Sequence, residues 1–139
     1  MKTRDIERMT RHQSYQERNL PLAEAAVESI QDKIEEREAV SIRVSKHGNE
    51  RELERAISNR DLMAVLSGGY AIECQGVQKD SIEILLMGHT KGYNNMYRPL
   101  HVAVSIKDND VLVKTAYDPR SREWQWENNY ETRIFYLED

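Results

Sequence analysis

The sequence predicts an α+β fold in which short helices pack on a four-stranded antiparallel sheet, with an N-terminal helical extension. Three observations predict it. Apolar residues recur at helical spacing as far as Leu66, the pair Gly68 and Gly69 ends that period, and four runs of alternating apolar and polar residues follow. Consecutive short strands favour a meander, with the helices gathered on one of its faces. The expected organisation is an extension over residues 1–39 and a main domain over residues 40–139.

Residues 1–19 are almost wholly polar, with Ile6, Met9 and Tyr15 as apolar anchors, which predicts a mobile arm or a helix that needs a partner surface. Asn19, Leu20 and Pro21 form a helix start signal, since asparagine caps and proline suits the first turn. Ala23, Ala26, Val27, Ile30 and Ile34 then share one face of an amphipathic helix reaching about Glu38. Val40, Ile42 and Val44 alternate in a brief extended stretch. Ser45 is a candidate cap for a helix over residues 46–56, with Leu53 and Ile57 as its apolar contacts. Ser58 and Asp61 have the spacing of a capping box, opening a short helix through Leu62, Val65 and Leu66.

The four strands are expected over residues 70–75, 81–87, 100–106 and 111–117, with Lys107, Asp108, Asn109 and Asp110 turning the last two into a hairpin. Beyond Pro119, the residues Trp124, Trp126, Tyr130, Ile134, Phe135 and Leu137 suggest a final helix or irregular segment over a sheet edge.

Composition narrows the function. With 39% hydrophobic and 32% charged residues, the chain suits a folded domain with a well-solvated surface. The one cysteine, Cys74, leaves no internal disulfide, and the first nineteen residues lack the apolar stretch of a signal peptide, so a cytoplasmic location is expected, with no membrane partner. A net charge of −4 argues against tight, non-specific nucleic-acid binding but leaves room for a local basic site. No zinc spacing, phosphate loop or Ser–His–Asp signature is present, so no cofactor or metal is expected.

Several segments together resemble a known family: His47, Arg51, Arg55, Ile57 and Asp61; residues 68–73; Arg98, Pro99, Leu100, His101 and Val102; Thr115, Ala116, Tyr117, Asp118 and Pro119; and Trp124. Their order and spacing over about residues 44–126 are similar to the bacterial domain of unknown function family numbered 4258, itself similar to BrnT and RelE type toxins of toxin–antitoxin pairs. The resemblance implies an RNA-cleaving or ribosome-associated ancestry, a RelE/BrnT-like fold and metal independence. The chain departs from that pattern in its N-terminal extension and its acidic balance.

Within that frame, His47, Arg51 and Arg55 fall four apart on a helical stripe. An imidazole beside two guanidiniums suits metal-free RNA cleavage, one moving protons and the others stabilising the phosphorane; a solvated, salt-bridged face with Glu50, Glu52 and Glu54 is the plainer reading. His101 is read either as a second acid–base group or as a hydrogen-bonded anchor. Tyr117 is read as a contact to RNA or as packing against Trp124. Residues 89–98 interleave aromatic, basic and amide side chains, making Lys91, Tyr93, Tyr97 and Arg98 candidate RNA-binding residues. The expected function is a toxin-like RNA-binding domain acting as a metal-independent endoribonuclease. The alternative is a non-catalytic module that docks an antitoxin-like protein, or a second copy, through residues 20–38.

Overall fold

Asp5 opens the first helix by accepting a hydrogen bond from the Arg8 backbone N–H, and α1 then runs Ile6–Glu35 without interruption. The computed structural model describes residues 2–46, 57–92 and 95–138. Asn19 and Pro21 do not begin the helix, as their signature suggested, but lie inside it. An interior proline costs about 3 kcal/mol in an isolated helix. Here the chain is anchored on both sides of it. Upstream, the Gln16 amide brackets the backbone of Cys74, accepting from its N–H at 2.7 Å and donating to its carbonyl at 2.9 Å. Downstream, Ala23, Val27 and Ile30 are buried in the core they share with the sheet. Helix α1 therefore packs on the sheet through its apolar stripe, and Gln16 docks its more polar first half.

The remaining elements among the described residues are β1 (Ser41–Val44), α2 (Asn59–Gly68), β2 (Tyr70–Val77), β3 (Ile82–Lys91), β4 (Tyr97–Lys107), β5 (Asp110–Tyr117) and a 3-10 helix at Pro119–Gln125. The expected meander β2–β3–β4–β5 is present, with Asp108 at φ 52° in the two-residue turn of the β4–β5 hairpin. It is not the whole sheet. The brief stretch at Ile42 and Val44 adds a fifth strand, β1, parallel to β5, so the sheet is mixed with order β1-β5-β4-β3-β2. The end of α1 delivers the chain to the β4–β5 turn, where Lys33 meets the Asn109 side chain and the Ser41 N–H bonds the Asn109 carbonyl at 2.9 Å. From there β1 runs in the direction of β5, and Ile42 and Val44 pack on the core. The helix expected over residues 46–56 lies outside the described residues.

Ser58 and Asp61 form the reciprocal capping box that starts α2, and Gly69 ends it. A Cβ at Gly69 would lie 2.5 Å from the Val65 carbonyl oxygen and 2.7 Å from that of Met87, and one at Gly88 would lie 2.9 Å from Val65 Cγ2. Both glycines let α2 close directly onto β3. Even-numbered residues of β3 and β4, among them Ile84, Leu86, Leu100, Val102 and Val104, face the helices and form the main core. Each such side chain contributes roughly 1.5–3 kcal/mol by leaving water. Odd-numbered residues form the outer face, where Leu85 and Ala103 pack beneath Trp126, with Ile72 and Tyr130 alongside. The C-terminal segment thus covers a sheet face where a cover over an edge was expected. Among the described residues, no helix is long and apolar enough to cross a membrane.

Candidate nucleic-acid interface

The outer face has a covered end and an open one. At the covered end, His101 is fully buried, and both ring nitrogens are engaged. Its Nε2 lies 2.7 Å from the Tyr130 carbonyl, which can only accept, so this nitrogen carries the proton and Nδ1 accepts from the Tyr117 hydroxyl at 3.2 Å. The ring also meets Trp126 edge-on at 4.6 Å and Tyr117 at 5.2 Å. Burial pushes the imidazole down to about 4, against the upward pull of the Tyr130 carbonyl and the Glu73 carboxylate. A neutral, enclosed ring is an anchor for the C-terminal segment, which is the second of its two expected roles. Tyr117 is likewise buried, against His101 and under the Arg122 guanidinium at 4.0 Å; its expected neighbour Trp124 is largely exposed instead.

Beside this cluster, Glu73 reaches from β2 to the C-terminal segment. Arg133 binds its carboxylate through Nε and Nη2, both at 2.9 Å, Gln75 donates at 3.2 Å, and His12 Nε2 of α1 lies 3.2 Å away. Burial alone would raise the Glu73 pKa, but the hydrogen bonds from His12 and Arg133, the Arg133 charge and Gln75 together hold it at about 2. Arg133 stacks on Trp126, and Arg8 on Phe135, both at 4.6 Å. This network fastens α1, β2 and the C-terminal segment together. No local pattern marks it, since its partners stand about 60 residues apart.

The cover stops at His101 and Tyr117, and among the described residues the same face continues exposed at His89, Lys91 and Tyr97. Register pairs Lys91 with Tyr97 and His89 with Pro99. The Tyr97 ring is 67% exposed, and the Lys91 ammonium lies 5.4 Å from its centroid. His89 is exposed beside them. Arg98 points the other way, where its guanidinium meets Asp61 at the start of α2 at 3.2 Å with both side chains largely buried, so it tethers the hairpin to that helix. The structure thus brings Lys91 and Tyr97 together, turns Arg98 to the helix face and buries Tyr117 beside His101, while His47, Arg51, Arg55 and Tyr93 lie outside the described residues. The acidic residues Glu24, Glu28, Asp32 and Glu35 are exposed on α1, whose buried stripe faces the opposite side of the sheet, so the open end is spared their charge.

An exposed aromatic with a cation beside it is a platform on which a base stacks while the ammonium holds a phosphate. No curated protein and no solved structure matches the chain. Residues 44–118, which run from the end of β1 to the end of β5 and include both ends of this face, match the family described as Domain of unknown function (DUF4258), and the chain belongs to that family.

Proposed function

We propose that the protein is a toxin-like RNA-binding domain of RelE/BrnT type that holds a single RNA strand across the open end of its outer face and cleaves it without a metal ion. The observation that carries this reading is the Lys91–Tyr97 pair, a bare aromatic platform and its cation on adjacent strands. Single-stranded RNA suits such a surface because its unstacked bases offer π-faces to any exposed ring. The rival reading, docking of a protein or a second copy through residues 20–38, is disfavoured because Ala23, Val27 and Ile30 are already buried against the chain's own sheet. The experiment is fluorescence anisotropy of a labelled single-stranded RNA in EDTA, with gel analysis of the same samples. Binding by the wild type that weakens about tenfold or more in Tyr97→Ala supports the reading; no binding, or equal binding by the variant, overturns it. Cleavage that persists unchanged in His47→Ala, Arg51→Ala removes the helical stripe from the chemistry.

A further inference from the structure

We propose that His89 is the catalytic acid–base residue of this open face, an inference that rests on the RNA-binding reading. Of the three described histidines, His12 is engaged by Glu73 and His101 by Tyr117 and Tyr130, whereas the His89 ring makes no hydrogen bond among the described residues. Its register partner is Pro99, whose side chain offers neither donor nor acceptor. The flanking residues confirm which way it points: a Cβ at Gly88 would run into Val65 of α2, and Thr90 is buried, so His89 and Lys91 share the outer face. Two residues along a strand separate their Cα atoms by roughly 6.5 Å. Tyr97 stands opposite Lys91. Base platform, phosphate-holding cation and proton acceptor therefore follow one another along a single surface.

With a base stacked on Tyr97 and the adjoining phosphate on Lys91, the 2′-hydroxyl of that nucleotide lies over His89. The imidazole takes the hydroxyl proton as the 2′-oxygen forms its bond to phosphorus. The bond from phosphorus to the 5′-oxygen breaks, and that oxygen leaves with a proton from water. The imidazolium then returns its own proton to water. Lys91 stabilises the negative charge on the phosphoryl oxygens throughout. The products are a 2′,3′-cyclic phosphate and a 5′-hydroxyl, with no redox partner involved.

The test uses the full chain and an oligoribonucleotide labelled at one end, in EDTA, with binding and cleavage measured separately. Expected are a cyclic phosphate terminus and loss of cleavage by about a hundredfold or more in His89→Ala. The Kd of that variant stays within about twofold of wild type, and added imidazole restores part of the rate. Wild-type cleavage rates in His89→Ala overturn the assignment, as does wild-type protein that binds RNA and leaves it intact. Wild-type protein that does not bind RNA overturns the RNA reading itself, so the two failures are distinguishable.

Discussion

His101 and His89 lie on the same face of the same sheet, on neighbouring strands, and the C-terminal segment makes them different residues. Trp126 and Tyr130 cover His101, the Tyr130 carbonyl and the Tyr117 hydroxyl engage its two nitrogens, and burial leaves it neutral. His89 lies beyond the cover, exposed, next to a lysine and a tyrosine that are exposed as well. A titratable side chain on a strand is thus given its role by what crosses the sheet afterwards. The covered end holds the domain together, and the open end is the surface on which we propose that RNA binds.

That division is broken most sharply by Glu73→Ala, which leaves Arg133 without its buried partner. The expected loss is about 3–5 kcal/mol of unfolding free energy in a urea titration, with RNA affinity per folded molecule unchanged. A loss under about 1 kcal/mol would contradict the fastening role. The same carboxylate gives an acid signature. Its folded value of about 2 lies below the ordinary 4.5, so its contribution is present above pH 4.5 and disappears as pH falls through 2.

His101 acts in a higher window. Its folded value of about 4 lies below the ordinary 6.5, so the unfolded chain binds the proton first. Stability is fully present above pH 6.5 and declines toward pH 4 by up to about 3 kcal/mol. Chemical denaturation of wild type and His101→Gln at pH 7, 5.5 and 4 checks this: the variant loses that part of the slope, and an unchanged slope would place the ring in water.

At the open end the effects move from stability to affinity. Tyr97→Ala is expected to cost about 1–3 kcal/mol of single-stranded RNA binding by anisotropy while shifting the unfolding midpoint little, because its ring is mostly in solvent. Lys91→Ala is the mildest, reducing the dependence of log K on log salt by about 0.7 if the ammonium neutralises one phosphate. Equal salt slopes would remove Lys91 from the phosphate path.

Much of the fold is legible in the sequence, and the gaps have a common cause. Alternation located all four meander strands, the Ser58–Asp61 spacing located a capping box, and the period-2 pattern placed His101 opposite Leu100 and Val102. These are local signals. The start of α1 was misplaced because Asn19 and Pro21 mimic a helix beginning, while the contacts that carry the helix through them come from Cys74 and Phe135, far along the chain. The four-residue β1 carries no sign of its parallel partner. Nothing in β4 announces that Trp126 and Tyr130 will seal His101. His12, Glu73 and Arg133 stand far apart in sequence, and only the fold brings the His12 ring and the Arg133 guanidinium within 3.2 Å of the Glu73 carboxylate.

The most direct measurement follows the imidazoles themselves. A long-range 1H–15N spectrum of the uniformly labelled protein reports on His12, His47, His89 and His101 at once, with and without a single-stranded oligoribonucleotide. The predicted result is that RNA shifts the His89 ring resonances and leaves those of His101 and His12 in place. RNA binding that leaves His89 unmoved, or that shifts His101 in its stead, would contradict the division of this face into a structural end and a binding end.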